Sequence, residues 1–230
     1  MKHRYLTQPI EHDLAEKMVF IGGPRQVGKT TLAKSLATTF YPKHQYLNWD
    51  YRNDRQQILT GTFAGSAELL IFDEIHKYRG WKNYLKGEYD KNKEKYRIIV
   101  TGSARLDLYK KGGDSLMGRY RYYRLHPFSL NEYLAIMPAI TPGSDLVFAE
   151  ATVENRAVLA LLMQFGGFPE ALLKQSEQDL RRWHNERLER LVKEDIRDTQ
   201  NIRDLSVMQI LLETLPHKVG SLLSINALRE

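Results

Sequence analysis

Short apolar runs alternating with helical patterns predict an α/β protein, a parallel sheet with helices on both faces. Two further observations sharpen this. The string Gly23-Pro24-Arg25-Gln26-Val27-Gly28-Lys29-Thr30 stands between the first apolar run and the first helical pattern, and the run Leu69-Leu70-Ile71-Phe72 ends in Asp73 and Glu74. Strands buried on both faces read as continuous apolar runs rather than as alternation. With 230 residues the chain is long enough to bury a substantial core as one large domain or two small ones.

In chain order, Met18 to Ile21 reads as a buried strand, Thr30 to Phe40 as a helix, Gln45 to Trp49 as a second strand and Asp54 to Leu59 as a short helix. Leu69 to Phe72 gives a third strand, Trp81 to Lys95 a charged surface helix, Arg97 to Val100 a fourth strand and Tyr120 to Leu125 a fifth. The Pro/Gly-rich stretch 137–144 marks a domain boundary. Beyond it, Leu180, Trp183, Leu188, Leu191, Val192 and Ile196 recur at helical spacing, with Glu186/Arg190 and Glu189/Lys193 as i, i+4 charge pairs.

The glycine string is a complete G-x-x-x-x-G-K-[ST] pattern and implies a nucleoside triphosphate site. Gly23 and Gly28 permit turns that aim successive N–H groups at phosphates, where the positive end of the following helix also lies. Lys29 reaches the β- and γ-phosphates, the Thr30 hydroxyl is placed for Mg²⁺, and Thr31 opens the helix. The same residue types also make ordinary strand-to-helix turns. An apolar strand ending in two carboxylates supplies the complementary half: Asp73 for the Mg²⁺ shell and Glu74 to orient and deprotonate water. An acid directly after the metal ligand favours ATP hydrolysis over transfer to a small molecule. A buried strand that ends in solvated acids is the plain alternative.

The run Ile98 to Arg105 is a strand that ends in polar residues. A strand of this kind commonly lies between the phosphate-loop strand and the Asp-Glu strand, which makes Thr101 or Ser103 a candidate γ-phosphate sensor; Ser103 as a helix cap is the alternative. Residues 96–126 carry most of the net charge of +6: Arg97, Arg105, Lys110, Lys111, Arg119, Arg121 and Arg124 against Asp107 and Asp114. Strand alternation puts Arg119 and Arg121 on one face and Arg124 on the other. An arginine finger from Arg119 or Arg105, acting in trans or in cis, a basic aromatic nucleic-acid patch and a solvated edge strand all fit the segment.

With no cysteine the chain has neither disulfides nor thiolate zinc sites, in keeping with a cytoplasmic protein. No run approaches the length of a membrane span, and Met1-Lys2-His3-Arg4-Tyr5 lacks the apolar core of a signal peptide.

Taken together, Gly22 to Leu32, Phe72 to His76 with Trp81, Thr101 to Arg105, Gly118-Arg119, Leu125 to Tyr133 and Gly166-Gly167-Phe168-Pro169-Glu170-Ala171 resemble, in this order, bacterial and archaeal AAA-type ATPases that carry a C-terminal domain of unknown function. The resemblance covers nearly the whole chain. It implies a P-loop NTPase domain over 1–140, a helical lid over 141–205 and the beginning of a winged-helix-like region over 206–230, with ATP and Mg²⁺ as cofactors. The Gly-Gly-Phe-Pro string resembles a lid turn near the adenine, which carries Gly167 and Pro169 over as nucleotide contacts; a plain helix stop and start is the alternative. The sequence ends at Arg229-Glu230, before a recognition helix could form, so a fragment of a longer protein is expected. The resulting expectation is a Mg²⁺-dependent ATPase acting as a conformational switch, with self-association and weak nucleic-acid binding. A nucleotide-gated DNA-binding regulator and a fragment of a superfamily-two helicase, suggested by Asp73-Glu74-Ile75-His76, are the competing readings.

Overall fold

The computed structural model describes residues 4–102, 116–136, 143, 145, 151–190, 205–221 and 224–226. Helix α1 (Thr7–Leu14) leads into β1 (Met18–Gly22), α2 (Lys29–Phe40), β2 (His44–Asn48), α3 (Arg52–Thr60) and β3 (Leu69–Asp73). A 3-10 turn (Ile75–Lys77), α4 (Trp81–Asn92), β4 (Arg97–Thr101) and β5 (Tyr120–Arg124) follow. Helices Leu130–Tyr133, Val153–Phe165, Pro169–Lys174, Glu177–Arg190 and Leu205–Thr214 follow, the last running into a 3-10 turn, Leu215–Lys218.

The five strands form one sheet in the order β2-β3-β4-β1-β5, and every neighbouring pair is parallel. This is the α/β sheet expected from the apolar runs. Strands β1 and β3 are buried throughout and β4 nearly so, as central parallel strands must be, whereas the edge strands β2 and β5 are largely half-exposed. Strand β4 lies between β1 and β3, with Ile21 opposite Thr101 and Asp73 opposite Thr101, so the C-terminal ends of the phosphate-loop and Asp-Glu strands flank one threonine.

Alternating strand positions feed two cores. Val19, Ile21, Leu69, Ile71 and Ile99 pack with Ile10 and Leu14 of α1 and Leu32, Ala33, Leu36 and Ala37 of α2. Met18, Phe20, Leu70, Phe72, Ile98 and Val100 pack with Ile58 of α3 and Trp81 and Leu85 of α4. Each fully buried Leu or Ile contributes about 1.5–3 kcal/mol relative to exposure.

Three features depart from the sequence expectation. Helix α1 was not foreseen: its only core anchors are Ile10 and Leu14, with Leu6 one turn ahead, in a segment otherwise polar and interrupted by Pro9. Helix α4 ends at Asn92 rather than Lys95, because the chain turns so that Tyr96 enters the core and its hydroxyl donates to Glu88. Arg119 and Arg121 do not share a face. The strand begins only at Tyr120, after Gly118 with φ of 80°, so alternation does not extend back to Arg119. Arg119 pairs with Asp90 of α4, and Arg121 lies 3.8 Å from Asp13 of α1, on opposite sides of the sheet.

The chain divides into two compact units, Met1–Leu173 and Lys174–Glu230. In the second, Trp183 is buried with the Arg187 guanidinium 4.9 Å over its ring, and Glu186 and Arg190 form the expected i, i+4 pair at 3.3 Å. The boundary stretch 137–144 (apart from Gly143) and Leu191, Val192, Lys193 and Ile196 lie outside the described residues.

Candidate nucleotide site

The loop after β1 is built by residues that tolerate positive φ. Gly23 has φ of 136° and Gly28 of 97°, while Gln26 takes 62° without being glycine. At Gly23 a Cβ would also come within 2.4 Å of the Leu125 carbonyl oxygen, so the residue answers a close approach as well as a turn. Gly28 is the N-cap of α2 and has no side-chain cap, which leaves the first N–H groups of the helix free of an intrahelical partner. Val27 is buried, Pro24, Arg25 and Gln26 are half-buried, and Thr31 is exposed on the first turn of the helix.

Lys29 is buried and folds back over this loop, its Nζ donating to Gly23 O at 3.1 Å and to Pro24 O at 2.8 Å. An ammonium held out of water on carbonyl dipoles is a cation already placed for an anion.

Asp73, 5% exposed at the end of β3, accepts from three hydroxyls: Thr30 Oγ1 at 2.9 Å, Thr101 Oγ1 at 2.6 Å and Tyr46 OH at 2.7 Å. Burial, reinforced by that hydrogen bond to Asp73, pushes the Tyr46 hydroxyl pKa up and keeps it a donor. The Thr30 hydroxyl and the Asp73 carboxylate form an all-oxygen donor pair of the kind a hard cation such as Mg²⁺ takes, so the residues present fit that ion.

Glu74 follows with φ of 57°, its N–H donating to Thr101 O at 3.0 Å. Its Oε2 lies 3.5 Å from His76 Nε2 and 3.6 Å from Lys77 Nζ, and Lys77 also reaches Asp50 at 2.5 Å. Burial pushes the Glu74 carboxyl above the ordinary carboxylate range, with the Lys77 ammonium opposing it. A carboxylate whose pKa is raised is the stronger base.

Of the residues singled out in the sequence, Gly23 to Thr30, Asp73, Glu74 and Thr101 converge at the C-terminal ends of β1, β3 and β4. The Gly166–Pro169 turn joins them: the position of a Gly28 Cβ lies 3.9 Å from Pro169 Cγ, and Gly167 O accepts from Phe128 N at 2.7 Å. Arg119 does not join them. Its carbonyl accepts from Met18 N, at the start of β1 and opposite the loop, and its guanidinium grips Asp90 at 2.7 and 3.0 Å. A five-residue strand spans about 15 Å, so Arg119 lies at the far end of β1 from the loop. Ser103 and Arg105 lie outside the described residues. Sequence reasoning missed Tyr46, whose access to Asp73 depends on the β2–β3 pairing, and the buried pair Arg4–Glu132.

A glycine loop between β1 and α2, facing a strand end that carries Asp-Glu across a β2-β3-β4-β1-β5 sheet, defines the P-loop class of nucleotide-binding proteins. Within that class the chain belongs to the AAA domain family, whose model matches residues 15–134, and residues 156–230 match a domain of unknown function. Family membership supports nucleotide binding. An uncharacterized protein of Methanocaldococcus jannaschii is 25% identical over 97% of this chain and 52% of its own length, so the chain spans about half of that relative. Among solved structures, the Aeropyrum pernix ORC1 protein in complex with DNA is similar at TM-score 0.48 and 14% identity, over 96% of this chain and 74% of that one. The S. cerevisiae Hsp104-ADP complex is similar at 0.47 and 14%, over 92% and 37%. No helix among the described residues is long and apolar enough to cross a membrane.

Proposed function

We propose that the protein is a Mg²⁺-dependent ATPase of the AAA type that works as a conformational switch. The observation that carries this reading is the convergence of three elements: Lys29 folded over the glycine loop, the Thr30–Asp73 contact at 2.9 Å, and Glu74 one residue further on. On this reading the loop N–H groups from Pro24's successor Arg25 to Thr30, with Thr31 at the helix start, cradle the phosphates and Lys29 serves the β- and γ-phosphates. Thr30 and Asp73 hold Mg²⁺, which when bound neutralises phosphate charge. Glu74 takes the proton of the attacking water as the water oxygen bonds to the γ-phosphorus and the bond to the β-phosphate oxygen breaks. Thr101, or Ser103 beyond it, stands where the γ-phosphate is sensed, and Gly167 and Pro169 approach the base side of the site.

Residues 141–205 act as the lid and 206–230 begin a winged-helix-like part. Arg119, turned away from its own loop, is suited to act as a finger on a second copy, with Arg105 as the other candidate. Any contact with duplex DNA is weak and salt-dependent, because Arg119 and Arg121 are engaged by Asp90 and Asp13 on opposite sides of the sheet. The first test is Lys29→Ala, with equilibrium binding of a labelled, slowly hydrolysed ATP analogue. Loss of tight binding is expected, and parental affinity would remove the site assignment.

A further inference from the structure

Arg4 lies just before α1 and is only 7% exposed, and its partner Glu132 is 3% exposed. Arg4 Nε donates to Glu132 Oε1 at 2.9 Å, Nη1 to Val27 O at 3.1 Å, and Nη2 to His126 O. The guanidinium also lies 4.2 Å from the centroid of the Phe128 ring. Glu132 is fixed in turn. Its Oε1 accepts from Tyr5 N at 3.1 Å, and its Oε2 accepts from Ser129 N at 3.2 Å within a capping box closed by Glu132 N on Ser129 Oγ.

Two of these contacts reach the nucleotide loop and the turn beside it. Val27 immediately precedes Gly28, and the position of a Gly28 Cβ lies 3.8 Å from Arg4 Nη1. The peptide unit 27–28 is planar and trans, so its C=O and N–H point in opposite directions. Holding the Val27 carbonyl toward Arg4 therefore turns the Gly28 N–H to the other face of the loop. Phe128, stacked on the same guanidinium, donates its N–H to Gly167 O at 2.7 Å, and Gly167 leaves no room for a Cβ, which would meet Phe128 O at 2.4 Å. One buried cation thus ties the end of the loop to the segment that grips the Gly166–Pro169 turn.

A buried ion pair is weak evidence for stability, since apolar side chains of similar volume often serve as well. A planar fork that satisfies a carboxylate and two carbonyls at once is instead a device of orientation, and lysine cannot reproduce it. We propose that Arg4 is a positioning residue for the nucleotide site: it sets the orientation of the Val27–Gly28 peptide and keeps that peptide in register with the Phe128–Gly167 contact. Affinity for the triphosphate then depends on a residue that touches no nucleotide. The inference rests on the reading of residues 23–30 as the nucleotide site.

The test uses the full chain and the labelled ATP analogue. Arg4→Lys is compared with the parent, with Lys29→Ala, and with Tyr123→Phe, which removes a hydrogen bond on α1 away from Arg4; Tm is recorded without nucleotide. Arg4→Lys is expected to unfold cooperatively at a lower Tm than Tyr123→Phe while its Kd rises about tenfold, within the usual span of coupling between sites, and kcat at saturating ATP changes less than Kd; Tyr123→Phe is expected to bind like the parent. If Arg4→Lys binds like the parent while Lys29→Ala has lost binding, the role of Arg4 is overturned and the site stands. If Lys29→Ala also binds like the parent, the nucleotide-site reading fails. Should Arg4→Lys not fold, Glu132→Gln, which keeps an oxygen acceptor but removes the charge, is expected to weaken binding in the same direction; parental affinity there overturns the proposal.

Discussion

The two ends of the sheet use polar residues in contrasting ways. At the C-terminal end, Lys29, Asp73 and Thr101 are buried and held by one another's neighbours: Lys29 on two loop carbonyls, Asp73 on three hydroxyls. At the opposite end and along the β5 edge, Arg119 meets Asp90 and Arg121 meets Asp13 through side chains that stay partly in water. Exposed pairs are screened and contribute about 0–1 kcal/mol, whereas a desolvated polar group deprived of its partners costs about 1–3 kcal/mol. The excess of arginine along residues 96–126 thus says less about chemistry than the few buried groups at the loop, although in sequence it is the more conspicuous feature.

The contrast predicts unequal responses to single substitutions. Asp73→Ala strands the hydroxyls of Thr30, Thr101 and Tyr46 and is expected to cost about 2 kcal/mol, read as a lower urea midpoint at unchanged slope. A midpoint like that of the parent would mean that these contacts are not held as described. Arg119→Ala is expected to move the midpoint of the same titration far less than Asp73→Ala does. Its larger effect belongs to turnover: the parent's rate per molecule should rise with protein concentration, and the variant's should not, if Arg119 reaches a second copy. A flat parental profile across assembly would leave Arg119 a surface residue paired with Asp90.

Tyr123→Phe is the smallest change. The Tyr123 hydroxyl donates to Asp13 at 2.6 Å and holds that carboxyl below the usual carboxylate range. A carboxyl whose pKa is depressed by folding adds stability above its unfolded pKa, and that increment is lost as pH falls through the folded value. The parent should therefore lose more stability than the variant on acidification below the ordinary carboxylate range. Thermal unfolding of both across that range checks this, and parallel curves would argue against it.

How far the sequence revealed this arrangement follows the same division. Strands β1, β3 and β4 were legible because burial on both faces leaves uninterrupted apolar runs, and the glycine loop was legible because its backbone demands particular residues at particular spacing. Helix α1 was not, because two anchors in a polar stretch with a proline give little periodicity. Tyr46 was hidden because only the β2–β3 pairing brings it to Asp73. Arg4 and Glu132 are 128 residues apart, and nothing local marks an arginine at the start of a chain as buried. Alternation carried one residue past the start of β5 puts Arg119 on the wrong face.

On the proposed reading, Glu74 activates water at a nucleotide held by the loop of Gly23 to Thr30. The most direct measurement is Glu74→Gln assayed for both steps, steady-state ATP hydrolysis and equilibrium binding of the slowly hydrolysed analogue. Hydrolysis is expected to fall at least about 100-fold, as for loss of a positioned base, while affinity is retained or tightened. Hydrolysis at the parental rate with parental affinity would contradict it.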